Sequence, residues 1–481
     1  MPFQSQIKLT DYLTFADWLV FGLVLLLTLT SVLIGHWLKA KKHLETERPQ
    51  LLDLLIMGRQ LTLPLFVGTL VATWYGGIFG VTEIAFNKGI YNFLTQGVFW
   101  YISYIIFAFF LIDRIHRYRA LTLPNLIHQM FGPLSARISA LFNFFNVLPI
   151  AYTISLGLFL KVFLGGTLLE NMFYGILIVI LYSTMGGFRA VVFSDLAQFF
   201  VMCTGVVLAL GFAIQTFGGL SFLKANLPDT HFHPLSDVGL STTLVWGLIA
   251  LSTLVDPNFY QRCFAAKSST VAKRGILIST LIWFLFDLCT TFGAMYARAV
   301  IPEATAGEAY LTFVIQILPP GLRGFFLAGI LATILSTLDS YLFLAGTTLS
   351  FDMLPEKLKG SVSLHHLSIV FVGALSLSLA YIFEGNIKSV WKTLGSYSAS
   401  CLLLPVLVGH FTQQKSTQIQ DREFVMACLL GLISTTTWQF FPKSGFWQQV
   451  DILYVGVFTT GGYLGLLYLH KWSLLRRAKD T

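Results

Sequence analysis

The sequence predicts an all-α polytopic membrane protein whose core is two five-helix repeats of opposite orientation. Three observations predict it. Of 481 residues, 55% are hydrophobic and only 11% charged, and the mean hydropathy is +0.73. Soluble domains of this length do not have that balance. Two apolar segments carry a break at mid-membrane depth, and they stand five segments apart. One further segment, LATILSTLDSYLFLAGTTLSFDM at 331–353, carries small hydroxyls at helical spacing.

Hydropathy places about thirteen spans, near 17–38, 62–85, 91–112, 136–163, 170–186, 191–217, 240–257, 275–298, 321–349, 366–384, 390–411, 424–441 and 450–471. Odd-numbered loops hold the cations. The first has Lys39, Lys41, Lys42, Arg48 and Arg59; the third has Arg114, Arg117 and Arg119; the seventh has Arg262, Lys267, Lys273 and Arg274. The C-terminal tail adds Lys471, Arg476, Arg477 and Lys479, whereas loop 299–320 has neither Lys nor Arg. Cytoplasmic loops concentrate Lys and Arg. The N-terminus is therefore expected outside and the C-terminus in the cytoplasm of a plasma membrane, the inner one in a bacterium. The chain divides into 1–61, a first repeat 62–217, a second repeat 218–411 and a terminal helix pair 412–481.

The second span reads LPLFVGTLVATWYGGIFGVTEIAF. Gly76 and Gly77 weaken the helix there and free backbone carbonyls; a close-packed glycine face is the alternative. The seventh span ends LSTLVDPNFYQR, where Pro257 bends or ends the helix after Asp256. In transporters built from inverted repeats, the first helix of each repeat is broken and the solute lies between the breaks. Such repeats would here be spans two to six and seven to eleven.

In 331–353, Thr333, Ser336, Thr337 and Ser340 recur at steps of three and four, with Asp339 beside them. They share one helix face. Unpaired polar groups are costly in hydrocarbon, so the face meets protein, water or an ion. Hydroxyls, free carbonyls and a carboxylate are hard oxygen ligands that suit a small hard cation. The stripe reads as half of a sodium site.

A carboxylate at the bilayer centre costs ~2.5–3.5 kcal/mol on insertion scales. Asp339, among hydroxyls, is a functional candidate on that ground. Asp195, after GGFRAVVFS, reads either as functional or as a helix cap or partner of Arg189. Asp287 has no partner nearby in the sequence. Glu83 and Asp352 lie near span ends, where a solvated charge is the simpler reading.

Composition excludes other classes. The net charge of +8 is distributed by membrane side and does not indicate nucleic acid. Cys203, Cys263, Cys289, Cys401 and Cys428 lie in or beside apolar segments at no metal-ligand spacing and are expected as free thiols. The start MPFQSQIKLTDYLTFADW lacks a basic region and cleavage site and does not read as a cleaved signal. No nucleophile–base pair or phosphate loop indicates an enzyme, and His36 and His128 read as interfacial.

ATWYGG at 72–77, YSTMGGFRAVVFSDLAQ at 182–198, DPNFYQR with AAKSS at 256–269, and LATILSTLDS at 331–340 together resemble the sodium:solute symporter family, in order over about 57–411. The resemblance implies a LeuT-type inverted-repeat fold with one helix before the core and two after it, and sodium as the co-transported ion. It implies a main sodium site of carbonyls at Ala72, Tyr75 and Thr333 with hydroxyls of Ser336 and Thr337. It implies a second sodium site or exit path at Asp195, Ser336, Asp339 and Ser340. There Asp339 replaces a hydroxyl of the two-sodium sialic acid type and resembles the choline branch. It also implies a substrate site at Trp74, Asn92, Asp256 and Phe259. Trp74 resembles the choline branch, but Asp256 stands where another cage aromatic would be, and no basic residue matches the one that meets a sialic acid carboxylate.

The expected function is sodium-coupled import of a small organic solute across the bilayer. An amine or amino acid ranks first and a sugar or polyol second. The alternatives are a proton-coupled carrier and a transporter-like sensor. One cation moving inward gains ~2.3 kcal/mol per 100 mV, and a tenfold gradient adds ~1.4 kcal/mol. Together they sustain roughly 500-fold accumulation of a neutral solute, so one ion suffices for a useful pump.

Overall fold

A computed structural model describes residues 9–45, 50–183, 187–359, 361–412 and 418–480. Arg48 and the stretch Thr184-Met185-Gly186 of the fifth-to-sixth-span motif lie outside the described residues, as do the side chains of His36, Lys39, Lys41, Lys42, Arg477 and Lys479.

The helices run α1 (Phe15–Glu45), α2 (Gln50–Ile56), α3 (Leu63–Ala72), α4 (Ile78–Lys88), α5 (Phe93–Tyr118), α6 (Leu123–Met130), α7 (Pro133–Asn146) and α8 (Ile150–Leu164). They continue with α9 (Leu168–Ser183), α10 (Gly187–Phe217), α11 (Leu240–Leu251), α12 (Pro257–Ala265), α13 (Ser269–Val300) and α14 (Ala306–Ile317). The last are α15 (Leu322–Met353), α16 (Val362–Ile382), α17 (Ile387–Phe411), α18 (Asp421–Phe440) and α19 (Ile452–Asp480). Ten helical stretches among the described residues are long and apolar enough to cross a membrane. The chain is a multi-pass membrane protein.

Three of the expected spans are not among those ten. The second is split into α3 and α4, the fifth is the shorter α9, and the twelfth, α18, opens with Asp421, Arg422 and Glu423. The seventh is longer than expected. The break is there: α11 ends before Asp256, which is extended, and Pro257 occupies the first position of α12, where a helix has no use for the missing N–H. Asp256 caps that helix, its Oδ1 accepting from the Asn258 N–H at 2.7 Å.

α15 lies at the centre and is buried on all sides through most of its length. It packs most extensively on α10, and α1 covers both. The outer face of α1 exposes Leu19, Leu23, Leu26 and Leu27, a surface for lipid tails. α1 also completes α15. Buried Asp17 accepts from the N–H groups of Gly321 at 2.7 Å and Gly324 at 3.2 Å, the first turn of α15. Gly324 has to be glycine, because a Cβ would stand 1.9 Å from the Asp17 carbonyl oxygen. On the opposite side, α2 is tied to the core. Asp53 pairs with Arg189 at 2.6 Å, both buried. Gln261 donates to the Leu55 carbonyl at 3.1 Å. Arg189 is therefore not the partner of Asp195.

Candidate functional site

The two breaks meet beside α15. α3 stops at Ala72, and the chain passes through Thr73, Trp74, Tyr75, Gly76 and Gly77 before α4 begins. The last carbonyls of a helix have no partner in their own ladder and carry the negative end of its dipole. Ala72 is the last residue of α3, and its carbonyl oxygen faces the α15 stripe. Ser336 Oγ lies 2.5 Å from it and Thr337 Oγ1 3.4 Å from it. The same two hydroxyls lie 3.3 Å and 3.1 Å from the Thr333 carbonyl. Four of the five oxygens expected for the main sodium site thus converge. Thr333, Ser336 and Thr337 are each at most 1% exposed. Tyr75 lies in the break itself, its ring 4.3 Å from that of Phe286.

The glycine pair serves the break and close packing at once. A Cβ on Gly76 would stand 2.5 Å from Thr337 Cβ, and one on Gly77 would stand 2.0 Å from the Trp391 ring. Without side chains, the break can approach both α15 and α17.

At the second expected ion site the oxygens have protein partners. Asp195 is 0% exposed and lies inside α10, so it is no helix cap. Its Oδ2 accepts from Thr69 Oγ1 at 2.5 Å and lies 3.6 Å from the guanidinium of Arg262. Arg262, expected in a cytoplasmic loop, is on α12 and wholly buried. Its Nη2 donates to Ser340 Oγ at 3.1 Å and to Thr69 Oγ1 at 3.1 Å, and its Nη1 donates to Asn258 Oδ1. Asp339 accepts from Ser183 of α9. Ser336 belongs with Ala72. Asp195 and Ser340 thus meet through Arg262, while Asp339 and Ser336 bond to other partners.

On the side of α4, α11 and the start of α17 lies a cavity of about 910 Å³ including its mouth. Trp74, Tyr75 and Gly77 from the first break and Ser252 and Asp256 from the second contribute to its wall. Trp100, Tyr152, Trp246, Tyr341 and Trp391 supply further rings, and Gln96 and Asn146 supply amides. Among the described residues, Asp256 is the only charged one in the wall. It both caps α12 and faces the cavity, with Tyr341 Oη 3.4 Å from its Oδ2.

Two expected substrate residues stand elsewhere. Asn92 is buried and donates to Thr291 Oγ1 at 2.9 Å, outside the wall. Phe259 lies behind Trp74, at 5.5 Å edge-to-face, and stacks on Tyr104 at 5.2 Å. Their α5-side and α12 positions turn them into protein, where Phe259 helps fix the indole. Trp100, Tyr152, Trp246, Tyr341 and Trp391 were not singled out in the sequence, because aromatic residues are spread throughout it. Arg262 carried a signal, since FYQRCF surrounds it with apolar neighbours.

The other three carboxylates singled out in the sequence have partners. Tyr101 donates to Asp287, Thr122 Oγ1 donates to Asp352 at 2.6 Å, and Lys388 pairs with Glu83 at 2.7 Å. The five cysteines are free.

The profile of the sodium:solute symporter family matches residues 54–418. The chain belongs to the sodium:solute symporter family. Among relatives of this symporter-family chain, the sodium/pantothenate symporter of Escherichia coli (strain K12) is 27% identical over 257 residues, covering 50% of this chain and 53% of the relative. The sodium/myo-inositol cotransporter 2 of Mus musculus is 24% identical over 372 residues, covering 65% and 54%. The chain spans about half the length of these relatives. A sodium-coupled sialic acid symporter, solved substrate-bound and outward-open, superposes with a TM-score of 0.75 at 17% identity, over 95% of this chain and 98% of that one. A manganese transporter mutant of Eremococcus coleocola reaches 0.54 at 11% identity, over 90% and 98%. At those identities the likeness is one of fold. This family member has the LeuT-type fold.

Proposed function

We propose that this protein imports a small organic solute by sodium-coupled symport with alternating access. One observation carries the reading: the same two segments build the oxygen cluster and the cavity. Ala72 ends its helix at the Ser336 and Thr337 hydroxyls, and two and three residues on, Trp74 and Tyr75 line the cavity. On α15, Tyr341 follows Thr337 by one turn and lines the cavity as well. A cation that orders the break and draws it to α15 also sets the cavity wall, so ion and solute bind as a coupled pair. The positive-inside pattern turns the cavity outward, with the N-terminus outside and the C-terminus cytoplasmic.

The wall supports a solute without net negative charge. Among the described residues, Asp256 is its one charged group, set among aromatic rings, with no Lys, Arg or His beside it. That combination fits an amine or amino acid by ion pairing and cation–π attraction. The amides of Gln96 and Asn146, with Ser252, support a polyol as the second reading, and the myo-inositol relatives agree with it. The test is thermal stabilisation of purified protein by amines, amino acids, polyols and carboxylates, each with sodium or choline as the cation. Solute stabilisation that requires sodium, followed by uptake into proteoliposomes along a sodium gradient, is the expected result. Uptake that ignores sodium and follows a proton gradient would sink the reading.

A further inference from the structure

We propose that His231 makes the connection 218–239 a strap on the outer end of α4, and that acid on that side releases the strap and weakens sodium binding. The inference rests on sodium coupling with the N-terminus outside, and adds to it a control by outside pH. The connection joins α10 to α11 and is fastened at two places. Near its start it holds α13: Tyr296 donates to the Gly218 carbonyl, and Phe222 stacks on the Tyr296 ring at 6.0 Å. Farther on it meets the turn between α4 and α5. The Ile90 N–H donates to the His231 carbonyl at 2.9 Å, and His231 Nε2 lies 3.1 Å from the Phe86 carbonyl oxygen. Gly89 permits this approach: at its φ of +58° a Cβ would stand 2.1 Å from the His231 carbonyl oxygen. Lys88 pairs with Asp237 at 2.7 Å.

A carbonyl only accepts, so Nε2 carries the hydrogen of a neutral imidazole and Nδ1 carries a lone pair. His231 is 4% exposed, and among the described residues its Nδ1 has no hydrogen-bond partner. A second proton would go to Nδ1, where no acceptor meets it. The charged groups that face the ring are Arg298 of α13, Lys88 of α4 and Asp237 of the strap itself. Two are cations, and the one carboxylate is shared with Lys88. Burial holds the docked imidazole below its ordinary value; Arg298 and Lys88 add to that, and the Phe86 carbonyl and Asp237 oppose it. Released into water, the same ring takes up its proton at about pH 6.5. The docked strap is therefore fully favoured above that pH and loses ground as pH falls below it. Over a window of about one pH unit either side, the shift reaches roughly tenfold at most.

α4 is the outer half of the first broken span. It starts at Ile78, directly after the break, and contributes Val81 to the cavity wall beside Gly77. The strap ties its far end to α13, so the break is held between a fixed α4 and α15. With the strap released, α4 has more freedom, and sodium must order the break as it binds. That ordering is taken from the binding free energy. Protons at His231 and sodium at Ala72, Ser336 and Thr337 are thereby linked without sharing a ligand.

The test uses full-length purified protein in detergent. Hydrogen exchange at the Ile90 and His231 amides, corrected for its intrinsic pH dependence, reads the strap without reference to sodium. Melting temperature against sodium concentration reads the ion site. From the basic to the acid edge of the window, the wild type is expected to lose protection several-fold at both amides and to need several-fold more sodium for half-saturation. His231→Gln keeps a donor for the Phe86 carbonyl and has no titrating ring, so both readouts should stay level. Gly89→Ala crowds the strap off and should give, at the basic edge, the sodium affinity that the wild type has at the acid edge. Wild-type protection that does not change with pH, or a His231→Gln protein that responds as the wild type does, would overturn the proposal. So would strap release that leaves the sodium titration in place, or Gly89→Ala with wild-type affinity. If His231→Gln does not fold, the wild type and Gly89→Ala decide. No stabilisation by sodium at any pH would overturn sodium coupling and with it the link to the strap, whereas the exchange result would still decide the strap itself.

Discussion

Removing the Ser336 hydroxyl is the sharpest perturbation of the oxygen cluster. Ser336 Oγ lies nearer the Ala72 carbonyl than Thr337 Oγ1 does, 2.5 Å against 3.4 Å, and it is 1% exposed. No solvent replaces it when it is deleted. An oxygen partner of a charged group contributes about 1.5–3 kcal/mol. Ser336→Ala is thus expected to raise the half-saturating sodium concentration about 10- to 150-fold. Thr337→Val, which keeps the shape and removes the hydroxyl, should act in the same direction with a smaller effect, because its distances are longer. Thr337→Ser keeps the oxygen and removes a methyl. The measurement is melting temperature against sodium concentration, with protein abundance as a control, followed by uptake once a solute is known. An unchanged half-saturating concentration in Ser336→Ala, or a larger change in Thr337→Ser than in Thr337→Val, would refute the argument. The second result would mean that packing and not the oxygens governs the site.

Other outcomes follow from the same geometry. Gly76→Ala puts a methyl 2.5 Å from Thr337 Cβ; at about 1–3 kcal/mol for overpacking, sodium affinity should fall roughly 5- to 150-fold, and an unaltered titration would show that the break does not touch the site. Asp256→Asn should weaken a cationic solute by ~2 kcal/mol, about 30-fold, and a neutral one less; unchanged solute affinity in both Asp256→Ala and Trp74→Ala would remove them from the cavity. Arg189→Ala strands buried Asp53 and should destabilise the fold by about 3–5 kcal/mol, read as a drop in melting temperature at saturating sodium. Asp339→Asn retains an acceptor for Ser183, so its sodium titration should stay close to wild type; a lowered sodium Hill coefficient would place a second ion at Asp339.

The features legible in the sequence were those whose cause is local. A glycine pair, a proline and a hydroxyl stripe each announce their own backbone or face, and the breaks at 76–77 and 256–257 and the facing of Ser336 and Thr337 follow from them. What was hidden depends on partners far along the chain. Arg262 reads as a loop cation only if the helix stops at Pro257; because the helix restarts there, the guanidinium is carried inside. Asp195 took Arg262 and not the nearby Arg189, because Asp53 had claimed Arg189. The side chains of Asn92 and Phe259 meet Thr291 and Tyr104, contacts that no local pattern announces. Trp391 is brought to the cavity by the missing side chain of Gly77, a contact across more than 300 positions.

The docking of Asp17 on the start of α15 bears on biogenesis. The helix that carries the oxygen stripe does not finish its own first turn; a carboxylate some 304 positions earlier does so. α1 is synthesised before α15, which leaves the ribosome long afterwards with those amides unsatisfied at the edge of the bilayer. Unmet backbone donors are costly there, so α15 gains its full stability only when it finds α1 already waiting. α1 lies some 300 positions before α15 in the chain, yet it sets when that central helix can be completed.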